Sequence, residues 1–230
     1  NLMKKLFIFG TGVVAEVAHY HFSQDGEYEI KAFVDFRKYI KKKKKFGIDI
    51  VAFEKIEKYL PKKDCYGFVA LGYKELNAVR KKVYGLLKRK KYKLVSYISK
   101  KNSISKNVKI GDNCFILENQ IIHPFTSIGN NVTLWSGNII GHHCKIEDHC
   151  FITSGVVVGG NSKIGEGSFI GLNSSIKDGL KIGKNCAILM ASAISRNMSN
   201  GSSSISKISD IFEKENKSMM LIKKKYFNIK

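Results

Sequence analysis

The stretch NIIGHHCKIEDHCFI, residues 138–152, packs three histidines and two cysteines into fifteen positions. Two chemistries suit such a cluster. Imidazole and thiolate are the preferred ligands of zinc, so His142, His143, Cys144, His149 and Cys150 could be a metal set. A neutral imidazole is also the side chain best placed to take a proton near neutral pH, so a single histidine could instead be a general base. Residue types alone do not separate the two; the elements that position these side chains do.

From Ile104 to Ile194 every sixth residue is Ile, Leu or Val, sixteen in succession. With those residues at roughly a quarter of positions in an ordinary domain, chance gives such a run on the order of once in a billion. A glycine often follows the aliphatic residue, and a small residue often stands four after it. Hexapeptide repeats of this kind specify a parallel β-helix: each hexapeptide makes one short strand and one corner, and three make a coil of a triangular prism. Residues eighteen apart then stack at about the 4.8 Å between paired strands. Cys114, Cys144, Cys150 and Cys186 all fall at the small position, which makes them packing groups. His143 and His149 occupy the fourth position of successive hexapeptides and so stand on different corners, where either would be a substrate or base-orienting contact.

Eighteen residues beyond His142 is Gly160, so the flank of this histidine meets bare backbone. Acyl transfer from a thioester needs a base for the incoming amine or hydroxyl and donors for the oxyanion. His142 supplies the first, an N–H at Gly160 the second, and Gly159 with Gly160 leaves room for a pantetheine arm. A zinc enzyme of the γ-carbonic anhydrase type needs three converging imidazoles and an open coordination position. The spacing does not reproduce that pattern, and no metal is expected.

The first half has another period. KKLFIFGTGVVAEVAHYHF reads as a buried strand, a Gly-rich turn and a helix, and YEIKAFVDF as a second strand ending at Asp35. IDIVAF, EKIEKYL, CYGFVALG, a helix near 74–91 and KLVSYIS continue the β/α alternation, which implies a parallel sheet. Gly10, Gly12 and Ala15 form a G-x-G-x-x-A turn whose small residues admit a phosphate or ribose to a helix N-terminus, and Asp35 is placed to accept from ribose hydroxyls or a base N–H. The repeat begins before a second mononucleotide half could form, so a single nucleotide is favoured over NAD. The division expected is a Rossmann-like nucleotide-binding domain over 1–103, a β-helix over 104–199, and a linker (NGSSS) with a Lys-rich tail over 200–230.

The formal net charge is +21, yet residues 104–199 carry only 8 basic and 6 acidic side chains against 25 and 10 in residues 1–103. The run KKKKK at 41–45 has no interleaved aromatics and reads as a solvated loop, so nucleic acid is not an expected partner. No apolar run approaches the ~20 residues of a membrane span. Five cysteines without an export signal imply reduced thiols and a cytoplasmic setting.

GTGVVA, then VALGYKELNAVRKKV, then a repeat carrying GHHCKIEDHCFI and VVVGGNSKIGEGSFIGLNSSI, resemble the sugar acyltransferases related to sialic acid O-acetyltransferase and to the enzymes that N-acetylate nucleotide-linked amino sugars. The resemblance spans roughly residues 3–195 and implies a left-handed β-helix that trimerises, acetyl-CoA between neighbouring prisms, and a role in bacterial-type surface glycan synthesis. It places the family's catalytic histidine on His142. The acidic residue that usually follows is His143 here, so Glu147, Asp148 or a backbone carbonyl is expected to orient the base. Two other readings are an O-acetyltransferase acting on a sialic-acid-like sugar, and an inactive nucleotide-sugar-binding scaffold. Flat prism faces with Trp135 and Phe151 are the surfaces expected to meet neighbouring copies.

Overall fold

The computed structural model describes residues 3–206. Its front unit is a five-stranded sheet in the order β3-β4-β2-β1-β5, built from β1 (Lys4–Phe9), β2 (Tyr28–Asp35), β3 (Lys44–Lys45), β4 (Ile48–Ala52) and β5 (Cys65–Val69). All pairings are parallel except β3 on β4. Leu6 to Phe9 are consecutive and all buried, as a parallel strand covered on both faces requires. Helix α1 (Val13–Asp25) covers one face through Ala15, Ala18 and Phe22, and ends at Gly26 in the left-handed region (φ 72°). The other face is covered by the short α2 (Ile56–Tyr59) and by α3 (Ala78–Arg89), through Ile56, Val83 and Leu87. The lysine run is not wholly loop: its last two residues form β3, and Lys45 pairs with Glu16 at 2.6 Å.

The second unit is a three-faced parallel prism, its faces holding seven, six and five two-residue strands. Face one runs from Tyr97–Ile98 to Ser203–Ser204, face two from Ser103–Ile104 to Ala193–Ile194, and face three from Lys109–Ile110 to Lys181–Ile182. Strands pair with those eighteen residues on, as Ile139 with Val157 and Lys145 with Lys163. The second residue of each strand points inward, and from Ile116 to Ile188 those aliphatic side chains are at most 3% exposed. At several corners a small residue bonds a carbonyl fifteen residues ahead: Thr126 Oγ1 donates to Gly141 O (2.7 Å), Cys144 Sγ to Gly159 O (3.2 Å) and Ser162 Oγ to Lys177 O (3.1 Å).

Both ends of the prism differ from the sequence reading. Within KLVSYIS, Leu94 bridges Gly67 of the front sheet, whereas Tyr97–Ile98 already belongs to the prism, so the stack starts before residue 104. At the other end NGSSS is no linker: Ser203–Ser204 pairs with Ala187–Ile188. That coil is two residues short, Ile182 bridging Met198 and Ala187 pairing with Ser203, so the sixfold pattern fades while the strands continue. The tail from 207 to 230 lies outside the described residues.

The front unit sits on face one. Phe115 and Leu117 of the prism join Leu6, Ile8, Phe22 and Phe68 in one apolar cluster. Arg80 of α3 is fully buried against the corner between faces three and one, donating to the carbonyls of Asn131, His149 (2.9 Å) and Cys150 (3.2 Å). Asn77, which caps α3 with φ 69°, donates to Gly167 O at 2.8 Å. Side chains at the same corner form a ladder: Val69 N–H donates to Asn113 Oδ1 (2.7 Å), Asn113 Nδ2 to Asn131 Oδ1 (2.8 Å), and Asn131 Nδ2 lies 2.9 Å from His149 Nδ1. Phe151 is buried beneath Tyr73 and Arg80, and Trp135 packs against the shared cluster. The front unit therefore covers Phe151, and Trp135 is partly buried against it.

Candidate active site

The corner between faces two and three is built from Gly141-His142-His143-Cys144, with Gly159-Gly160-Asn161-Ser162 one coil further on. His142 and His143 are both exposed. A Cβ added at Gly160 would stand 2.8 Å from both Cε1 and Nε2 of His142, so the imidazole lies across the glycine and a side chain there would displace the ring. The Asn161 N–H donates to the His142 carbonyl at 2.8 Å and fixes that backbone, while the Gly160 N–H donates to no group among the described residues. Gly159 approaches as closely: a Cβ there would meet the Asp178 backbone N at 2.4 Å.

His143 stands in the left-handed region (φ 55°), and its Nδ1 is 3.1 Å from Nδ1 of His142. The ring of Phe125, one coil earlier, packs on His143 with centroids 4.7 Å apart. The substitutes expected for an acidic partner are elsewhere. Glu147 pairs with Lys163 at 2.9 Å and Asp148 accepts from the Asn130 N–H at 2.8 Å, both at the next corner. His149 stands apart from this pair; it is 7% exposed in the seam with the front unit, beside Tyr84, and burial holds its pKa below the usual imidazole range.

The cysteines of the stretch are buried and their thiols are pushed up by that burial, Cys150 to about 12. Among the described residues no three His, Cys, Asp or Glu side chains converge as metal ligands. The opening cluster thus divides by corner: His142 and His143 face outward at one, His149 and Cys150 are buried at another.

A second constellation lies at the C-terminal edge of β1 and β2. Gly10 has φ +117°, and a Cβ there would meet Ala70 O at 2.7 Å, so the turn depends on glycine. Gly12 caps α1 with open space where a side chain would be. Thr11 Oγ1 donates to Asp35 Oδ2 at 2.8 Å, and the Phe36 N–H to Oδ1 at 2.9 Å, so the carboxylate is tied to the glycine turn. Gly10, Gly12 and Asp35 are brought together, through a threonine that the sequence reading passed over. Beyond Asp35 a cavity of about 590 Å³ is lined by Arg37, Lys43, Lys55 and Tyr59 among others, and by Asp49, which pairs with Lys44 at 3.6 Å. The two constellations do not meet within one chain. The front unit covers face one, and in a three-sided prism the corner of faces two and three lies opposite it.

Fold and corner together define a hexapeptide-repeat β-helix joined to a Rossmann-like front unit. Residues 125–160 match the family model of the bacterial transferase hexapeptide (six repeats), and residues 161–195 that of the hexapeptide repeat of succinyl-transferase. No curated protein sequence matches the chain. Among solved structures, the chain is similar to a His-to-Asn variant of perosamine N-acetyltransferase from Caulobacter crescentus in complex with CoA and GDP-perosamine. Its TM-score is 0.80 at 20% identity, covering 91% of this chain and 99% of that one. It is similar also to the acetyltransferase domain of PglB from Neisseria gonorrhoeae, with TM-score 0.78, 19% identity, and 87% and 95% of the two chains covered. WeeI from Acinetobacter baumannii aligns with TM-score 0.72 at 20% identity, over 88% and 96%. The fold is accordingly a left-handed parallel β-helix with a Rossmann-like front unit. No helix among the described residues is long and apolar enough to cross a membrane.

Proposed function

We propose that the protein transfers the acetyl group of acetyl-CoA to a nucleotide-linked amino sugar, with His142 as general base. The observation that carries this reading is the imidazole lying across Gly160, beside an uncommitted N–H. The base takes a proton from the incoming amine, the Gly160 N–H donates to the developing oxyanion, and the bare Gly159–Gly160 backbone leaves a path for pantetheine. The structural neighbours described with CoA and GDP-perosamine bound have the same fold, which supports these two ligand classes.

Gly10, Gly12 and Asp35 are proposed to hold the nucleotide. The α1 N-terminus and its open space suit a ribose or phosphate, and the cavity lined by Arg37, Lys43 and Lys55 suits an anion. A sugar held there lies across the prism from the base of its own chain. The reading therefore includes a homotrimer in which one chain's front unit serves the next chain's corner. Face two adjoins that corner and carries an outward stripe of Ile121, Ile139 and Val157, respectively 43%, 38% and 42% exposed. Three copies about an axis parallel to the prism bury three such stripes and leave none open for further growth.

The test is acetyl-CoA with a panel of GDP-, UDP- and dTDP-linked amino sugars, including GDP-perosamine, with products read by mass. A product heavier by one acetyl group on the amine is expected with at least one member, and its kcat should fall by about 10²- to 10⁴-fold in His142→Ala. A product acetylated at oxygen would make the enzyme an O-acetyltransferase. Nucleotide-sugar binding without turnover would leave the scaffold role.

A further inference from the structure

His142 and His143 are adjacent in sequence, but their rings meet because of the turn. The third residue after each inward aliphatic has positive φ at every corner from Asn113 to Ala191, and Asn or Gly fills all of these positions except Phe125, His143, His149 and Ala191. A large side chain there adopts a conformation that L-residues avoid. At His149 the seam with the front unit offsets this. At His143 no such seam exists; the ring is exposed, packed on Phe125 (itself at φ 64°), with Nδ1 3.1 Å from Nδ1 of His142.

Two ring nitrogens at that distance share one proton: one donates and the other accepts. Only one arrangement leaves His142 a base at Nε2, the nitrogen lying over Gly160. Its proton must sit on Nδ1 and be donated to an unprotonated His143 Nδ1. We propose that His143 is the positioning residue of the acyl transfer, accepting the Nδ1–H of His142 and so fixing the tautomer whose Nε2 lone pair faces the acceptor sugar. Phe125 holds the His143 ring in that orientation.

The inference rests on the acyl-transfer reading, and its atoms balance within it. The amine nitrogen attacks the thioester carbon and its proton passes to Nε2. His142, now cationic, still donates Nδ1–H to His143. Collapse of the tetrahedral adduct breaks the C–S bond, forms the amide, and the Nε2 proton leaves on the CoA thiol. A neutral imidazole thus does by direction what a carboxylate would do by direction and charge.

Asparagine makes the test, because its Oδ1 is attached at Cγ as Nδ1 is in histidine, and because it suits the φ that this corner imposes elsewhere. His143→Gly removes the acceptor and also fits the turn, so neither variant strains the coil. With acetyl-CoA and the best acceptor of the panel, His143→Gly should lower kcat by tenfold or more while leaving the KM for acetyl-CoA within about twofold. His143→Asn should return kcat to within about threefold of the wild type. Full activity in His143→Gly would overturn the inference, and so would an Asn variant as slow as the Gly variant. His142→Ala, measured beside them, separates the two readings. If it keeps most of the rate, the proposed function has lost its base; if it is inactive while His143→Gly is not, only the positioning role is lost.

Discussion

At the scale of residues, the site depends on what is missing beneath a ring. Gly160 has no strained φ, so Gly160→Ala asks nothing of the backbone; its methyl instead enters the space of Cε1 and Nε2 at 2.8 Å. The imidazole must swing away, and we expect kcat to fall by at least tenfold with the melting temperature changed by no more than a few degrees. Steady-state rates beside a thermal melt check this; an unaltered kcat would mean that the ring position is not used in catalysis. This contact was legible in the sequence, because the period of six fixes what lies eighteen residues on. The His142–His143 contact was not. The spacing shows two neighbouring histidines, while the direction of the second ring comes from a left-handed turn, whose signal was the recurrence of Asn and Gly at one place in the hexapeptide. Glu147 and Asp148 are close to His142 in sequence, but a strand separates them from it and they stand round the next corner, engaged by Lys163 and Asn130.

At the scale of elements, the seam between α3 and the prism rests on polar groups that sequence patterning assigns to the surface. Arg80 occurs in an ordinary lysine-rich helix, VRKKV, yet it is fully buried with carbonyls as its partners; burial lowers its pKa to about 10, still charged at neutral pH. No periodicity marks such a residue, because the docking of two units is a non-local fact. His149 belongs to this seam, and its tautomer gives a test. Its Nδ1 accepts from Asn131 Nδ2, so the ring is neutral with its proton on Nε2. Burial is the largest cause of its lowered pKa; Arg80 and Lys81 act with it, and Asp148 and Glu166 oppose it. Between the depressed folded pKa and the unfolded value of about 6.5, the unfolded chain binds the proton and the folded chain resists it. Stability is therefore fully present above about pH 6.5 and is lost as pH falls toward the folded value. Melting curves from pH 7.5 to 5 should show that loss, with a smaller slope in His149→Asn, which keeps an acceptor and suits the turn's φ of 65°. Equal slopes would assign the acid sensitivity to other groups.

At the scale of the whole molecule, the reaction proposed needs more than one chain. The Gly10, Gly12 and Asp35 constellation lies on the unit that covers face one, and the His142 corner lies opposite, so that reaction calls for a second copy beside the first. The apolar stripe of face two is where that copy is expected. Ile139 is its midpoint, paired on either side with Ile121 and Val157 and pointing outward, so it contributes nothing to the prism interior. A carboxylate there is harmless to one chain in water and costly between packed chains. Ile139→Glu should keep the wild-type circular dichroism spectrum, run as a monomer by light scattering, and lose transfer with His142 intact. Mixing gives the sharper result. His142→Ala lacks the base and Asp35→Ala lacks the nucleotide contact, so each is inactive alone. Chains of the two kinds assembled together pair an intact front unit with an intact corner, and activity should return. If mixed trimers form and remain inactive, each chain must bring its own sugar to its own histidine, and the front unit would have to leave face one to do so. The apolar cluster that Phe115 and Leu117 form with Ile8, Phe22 and Phe68 holds it there, which is why recovery is the outcome expected.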